Sequence, residues 1–241
     1  MKKLLSLIVF FLPLISTAQQ ANTSVAEGLH EVNQAYLKTA SLRMNVNYVL
    51  FPSYTSTVPF ESEKGVFMKQ GRNTYSDLLG IVSLTNAGIS LTIDSNEQTI
   101  VATDPPDNSM MNPSLVNIDS ALRVCNSVTA DPSGDQLMLY KLRFDNLSFS
   151  DYNAIDVYVN KQTHFIDRLI LYFRTEVDLD ETDNSKLKDR PRLEISYTSI
   201  STSPVFKSGQ FSETPYIRIS AKKMTCTPAY ATYRLINNKL K

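Results

Sequence analysis

Tryptophan is absent from the 241 residues, and cysteine, histidine and glycine number only two, two and seven. Each shortage removes a class of chemistry. His30 and His164 are separated by most of the chain and show no zinc-ligand spacing, so both read as surface or edge residues. Cys125 and Cys226 form no Cys-x-x-Cys pair, which argues against a catalytic dithiol. The sparse glycines build no phosphate-cradling loop, no dinucleotide-binding turn and no Gly-x-Ser-x-Gly elbow. Charge bias is missing as well. Twenty-four basic residues balance 24 acidic ones, so there is no electrostatic ground for a nucleic-acid partner. Without tryptophan, an aromatic sugar platform would rest on twelve tyrosines. Glu61 and Glu63 point to one side of a strand, not across a cleft as a glycosidase pair would. Asp178, Asp180 and Asp183 begin like a Ca²⁺ loop, but the sharp-turn glycine and closing glutamate are lacking, and a solvated loop is the plainer reading. No enzyme, cofactor or metal is expected.

Long apolar runs are also lacking, with one exception at the start. Lys2 and Lys3 precede Leu4–Ile15, broken once by Pro13, and Ser16-Thr17-Ala18 supplies the small residues an export peptidase reads. The run falls short of the roughly 20 residues that span a bilayer. Residues 1–18 are therefore expected to be a signal peptide cleaved after Ala18. No cysteine follows that could carry a lipid, and residues 19–241 are expected to form a single soluble β-rich domain, periplasmic or secreted. In that compartment Cys125 and Cys226 pair as one disulfide or stay as two buried thiols.

What the chain does have is alternation. Leu42, Met44, Val46, Tyr48 and Leu50 fall on one face of a strand, and Arg43, Asn45 and Asn47 on the other. Further strands are expected at 61–69, 73–79, 81–84, 89–94 and 99–103, with Gly65 marking a bulge or a close approach. Asp104-Pro105-Pro106 stops this meander. After it come strands at 137–144, 154–160, 165–177, 192–201 and 216–222, a turn at Asp131–Gly134, and a short last strand or tail at 226–233. Two amphipathic helices accompany them. Ser24–Thr39 carries Val25, Leu29, Val32 and Tyr36 on one stripe, with Ser24 and Glu27 as a capping box. Ser114–Ser127 carries Leu115, Ile118, Ala121, Leu122 and Cys125. Between meander and second helix, Met110 and Met111 read either as gap-filling core or as a flexible apolar lid.

The order of these elements resembles the LolA-like periplasmic lipoprotein carrier superfamily. The residues that carry the resemblance are the exported helix ending Ala35-Tyr36-Leu37-Lys38, the strand opening Gly65-Val66-Phe67-Met68-Lys69, the turn with Arg72, the aromatic strand at Tyr75, and the run Thr99-Ile100-Val101-Ala102-Thr103-Asp104-Pro105. It spans roughly residues 25–125. It implies an α+β fold: a strongly curved antiparallel sheet, or incomplete β-barrel, with helices covering its open apolar side and a cavity for acyl chains between them. On that resemblance the ligand-binding residues are Met44, Val46, Tyr48, Leu50, Phe67, Arg72, Tyr75, Met110, Met111 and Leu115, with Arg72 coupling the barrel to a lid at Met110, Met111 and Leu115. The expected function is a non-enzymatic carrier of lipoprotein acyl chains, lipids or another apolar ligand in a Gram-negative envelope. The alternative is an envelope structural or protein-interaction module with a filled core.

Overall fold

Alternation in the first half becomes six consecutive strands. These are β1 (Ser41–Phe51), β2 (Glu61–Gln70), β3 (Asn73–Leu78), β4 (Ile81–Thr85), β5 (Ser90–Asp94) and β6 (Thr99–Thr103), each antiparallel to the next. The computed structural model describes residues 25, 27–106, 118–145, 151–176, 189–220 and 223–239, the Asp119 side chain excepted. The signal peptide, the Ser24 cap, the region of Met110, Met111 and Leu115, and the acidic loop at Asp178–Asp183 lie outside them. Antiparallel strands dominate the described chain, and helices are few: α1 at 27–38 and α2 at Ile118–Val124.

The chain gathers into two compact units. The first contains α1 through Tyr36, the segment Phe51–Val58, α2, and the run from β7 (Ser127–Ser133) through β8 (Leu137–Arg143) and β9 (Tyr152–Asn160) to β10 (Ile166–Phe173). These four strands pair antiparallel in that order. Their registers set Tyr140, Val157 and Leu169 in one row and Leu142, Ile155 and Leu171 in the next, all buried. The stripe of α1 meets this unit. Leu29 and Val32 are fully buried, the Tyr36 ring packs 5.0 Å from Phe165, and the Ile166 N–H donates to the Tyr36 hydroxyl at 3.2 Å. Gly28 lies so close to the Tyr140 hydroxyl that any Cβ there would strike it. α1 thus touches β8 and the start of β10, strands far along the chain.

β7 was not foreseen. The helix expected over Ser114–Ser127 ends at Val124, because the Asn126 N–H donates to the Arg143 carbonyl and starts a ladder with β8. The turn expected at Asp131–Gly134 moves to 134–136, with Gly134 at φ +70°.

The second unit contains β1–β6, β11 (Arg192–Ser201) from Glu194 onward beside β1, and the C-terminal segment. That segment folds as a hairpin of β12 (Ile217–Ser220) and β13 (Lys223–Cys226), a 3-10 turn at Pro228–Tyr230, and β14 (Arg234–Asn237), which joins β6 in parallel. The run from β14 to β11 does not close on itself. Of the two cysteine alternatives, the thiols are the one observed. Cys125 Sγ faces the Leu122 carbonyl at 3.5 Å and Cys226 Sγ faces the Tyr233 carbonyl at 3.6 Å, each engaged locally.

Candidate functional site

In antiparallel pairs, residues directly opposite each other point to the same side of the sheet. The second unit's registers can therefore be followed from strand to strand. One row reads Met44, Phe67, Ser76, Ser83, Thr92, Val101; the neighbouring one reads Leu42, Lys69, Thr74, Thr85, Ser90, Thr103. On the other face the rows read Arg43, Met68, Tyr75, Leu84, Leu91, Ala102 and Asn45, Val66, Asp77, Val82, Ile93, Ile100. The dry side thus changes over within the meander. β1 buries one face and β4–β6 bury the opposite one. A single dry wall from Leu42 to Asp104 is not what forms.

The β1 side is the apolar wall. Leu42, Met44 and Val46 are 0% exposed, Tyr48 is 2% and Phe67 is 5%, while Leu50 is half-buried. The same face then turns to hydroxyls on β3–β6. Thr74 and Thr85 are buried, and Thr85 Oγ1 lies 2.9 Å from Ser90 Oγ across the strand pair. Lys69 stands between Leu42 and Thr74, where burial lowers its ammonium pKa. The face is amphipathic in the plane of the sheet, greasy at one end and hydrogen-bonding at the other.

Tyr48 is its unusual member. Its hydroxyl is buried and has no hydrogen-bond partner among the described residues. Burial pushes its pKa up from 10.0 to about 12. Buried polar groups are nearly always paired, and an orphan calls for a reason.

The opposite, β4–β6 face is covered by the C-terminal segment. Leu84, Ile89, Leu91, Ile93, Ile100, Ala102 and Ile217 form its core, and Tyr216, Met224, Tyr230, Tyr233 and Leu235 pack against them. Tyr75 belongs here, hydrogen-bonded to Tyr216, and burial of the pair raises both hydroxyl pKa values. Asn86 ties the cover down. Its Nδ2 donates to Glu213 Oε2 at 2.8 Å and to the Phe211 carbonyl at 3.2 Å, and Lys239 Nζ donates to the Gly88 carbonyl at 2.7 Å.

Of the ligand-binding residues expected from sequence, Met44, Val46, Tyr48, Leu50 and Phe67 come together on one face. Tyr75 lies on the other, and Arg72 is exposed at the tip of the β2–β3 hairpin beside Gly71 at φ +59°. Met110, Met111 and Leu115 lie outside the described residues. The hydroxyl rows and Lys69 were not anticipated. Turn arithmetic would have found them. Two-residue turns at Gly71-Arg72 and Leu79-Gly80, the latter with φ +55° and +75°, fix which residues face each other on β2, β3 and β4.

A different arginine grips backbone in the first unit. Arg192 Nη1 donates to the carbonyls of Ser53, Tyr54 and Ser56 at 3.1, 2.8 and 2.9 Å, and its guanidinium lies 3.9 Å from the Phe51 ring centroid. Tyr54 donates to the Phe173 carbonyl and accepts from Asn153 Nδ2 at 3.0 Å. The Ser53–Pro59 connection is thereby pinned at its start.

Among the described residues, no three His, Cys, Asp or Glu side chains gather as metal ligands, and no helix is long and apolar enough to cross a membrane. No protein-family model matches the chain, and no curated protein matches it in sequence. Solved structures do. An uncharacterized conserved protein from Thermus thermophilus is 11% identical, with 89% of this chain and 99% of that one covered and a TM-score of 0.43. The lipoprotein LppX of Mycobacterium tuberculosis is 8% identical over 76% of this chain and 98% of its own, with a TM-score of 0.41. The chain is also similar to a LolA superfamily protein from Nitrosomonas europaea, at 10% identity over 79% of this chain and 98% of that one and a TM-score of 0.35.

Proposed function

We propose that residues 19–241 form an exported, single-domain, non-enzymatic binding or carrier protein for lipoprotein acyl chains, lipids or another apolar ligand of the bacterial envelope, periplasmic or secreted. Its fold would be a strongly curved sheet whose apolar side helices cover. The observation that carries the reading is the β1 wall with its orphan hydroxyl. A filled apolar core has no use for an unpaired phenol, whereas a site that receives an acyl ester or amide offers it an acceptor. The Ser/Thr rows continuing from the wall suit a ligand with an apolar chain and a hydrogen-bonding head. Each buried methylene adds about 0.8 kcal/mol before ordering costs. Leu42, Met44 and Val46 are fully covered, so a ligand must displace whatever packs on them.

Native mass spectrometry of protein purified without detergent, then titrated with a fatty-acyl probe, tests this. Bound acyl mass or saturable uptake is expected. A chain that is always empty and ignores the probe would refute the proposal.

The complete burial of those three side chains favours a second reading, an envelope interaction module with a filled core. It predicts a protein partner whose capture survives Met110→Asp and Met111→Asp, changes that would abolish acyl binding if those methionines form a lid.

A further inference from the structure

The face of the second unit opposite the apolar wall carries an open depression of about 560 Å³. Register explains its lining. Asn45 faces Val66, which faces Asp77 across the next ladder; Asn47 faces Lys64; and Thr198 comes from β11. The space arises because two ladders stop at different places. β1 and β2 stay paired to Leu50 and Glu61, but β2 and β3 part after Val66 and Asp77. Gly65 sits at that parting, where a Cβ would strike both the Leu78 side chain and the Asp77 carbonyl. A glycine is required there for β2 to pass so close to the end of β3.

The chemistry of the lining is mixed. Lys64 is a pure donor, ionised Asp77 a pure acceptor, and Asn45, Asn47 and Thr198 can each do both. One positive and one negative group leave the groove without net charge. A free anion would meet Asp77, and a free cation would meet Lys64. A polyol suits all five, because each hydroxyl donates and accepts, and hydrogen bonds to the two charged groups are the stronger kind. The volume falls within the range of small-ligand sites.

We propose that this groove binds a neutral oligosaccharide. The site uses none of the apolar wall and stands or falls apart from the acyl-carrier reading. An extended peptide is the competing occupant, because β2 from Glu61 to Gly65 has no partner on the β3 side among the described residues. Glu61, Glu63 and Lys64 along that edge oppose strand addition, as charges on exposed edges do.

The test is NMR of the mature protein, following the side-chain amides of Asn45 and Asn47 during titration with N,N′,N″-triacetylchitotriose and with maltotriose. Saturable shifts of both amides with at least one sugar are expected. The double variant Asn45→Ala, Asn47→Ala should weaken binding about tenfold, the loss of one or two hydrogen bonds. Asp77→Asn should weaken it less, since the amide keeps one acceptor. Melting temperature and fatty-acyl uptake should be unchanged in the double variant. No shift with either sugar overturns the proposal, as does a response confined to an extended peptide or equal sugar binding by the double variant.

Discussion

Replacing Tyr48 with phenylalanine removes one oxygen and leaves the ring in place. Its effect can be worked out from the wall itself. The hydroxyl lies on a residue that is 2% exposed and has no partner among the described residues. An unsatisfied buried hydroxyl costs about 1–3 kcal/mol. Tyr48→Phe should therefore stabilise the ligand-free protein by about that amount. For a chain of this size, each kcal/mol moves the melting point by roughly 2–4 °C. Most core substitutions lower stability, so a rise is a diagnostic sign. The second arm of the experiment uses ligand. An acyl ester that accepts from Tyr48 loses a hydrogen bond of about 0.5–1.5 kcal/mol net in the variant, a weakening of roughly 2- to 12-fold. A saturated hydrocarbon of equal length makes no such bond and should bind both proteins alike. Differential scanning fluorimetry of delipidated protein reads the first arm and fluorescence displacement the second. If Tyr48→Phe lowers the melting point by several degrees, the hydroxyl has a structural partner and the anchor argument is wrong. If the melting point rises while ester and hydrocarbon affinities stay unchanged, the orphan is a defect with no bearing on ligand.

Neighbouring geometry supplies three more tests. Gly65→Ala should cost about 1–3 kcal/mol, because its Cβ meets the Asp77 carbonyl as well as the Leu78 side chain, and backbone cannot swing aside; chemical denaturation measures it. Arg192→Lys keeps the charge but cannot reach three carbonyls, so it should cost about 2 kcal/mol, and hydrogen exchange should speed up in residues 53–56 first. Tyr48 and Tyr172 both have pKa values raised from 10.0 to about 12, by burial foremost and, for Tyr172, by the Asp156 carboxylate as well. Neither group makes stability depend on pH below pH 10; between pH 10 and 12 the unfolded chain ionises first, so stability falls across that window. Tyrosinate absorbance should lag in the folded protein across that window and then rise together with loss of circular dichroism.

Strand positions in the meander were legible because local alternation and turn residues act over a few residues. The expected strands at 73–79 and 99–103 match β3 and β6 almost to the residue. What local pattern could not give is partnership. α1 has the stripe of a helix that must lie on a sheet, but nothing in Gly28 or Tyr36 says that Tyr140 and Ile166, far along the chain, are among its partners. The same holds for Arg192, whose three acceptors come from a segment far earlier in the chain. β7 escaped because Ser127–Ser133 has little apolar alternation. An edge strand with Pro132 inside it takes its structure from the β8 ladder and not from its own propensity.

The change of dry face is the deeper reason that the candidate site was only half readable. In β1 the apolar residues sit at every second position, so one face is specified without ambiguity. β2 carries Val66, Phe67 and Met68 in succession and is apolar on both sides. It can therefore pair with β1 through Phe67 on one face while handing Met68 to Tyr75 and Leu84 on the other. Beyond it, β4–β6 bury Leu84, Leu91, Ile93 and Ile100 under a cover supplied by residues 216–235, leaving serine and threonine on the wall side. The inversion bears on the proposed acyl-carrier role. Because the C-terminal cover takes up the apolar demand of β4–β6 on the far face, the near face is free to carry hydroxyls and Lys69 beside Met44, Val46, Tyr48 and Phe67. A sheet with one dry face throughout would present an acyl chain with hydrocarbon alone. This one places hydrogen-bonding groups at the edge of the grease, as the proposed acyl ligand's polar head would require.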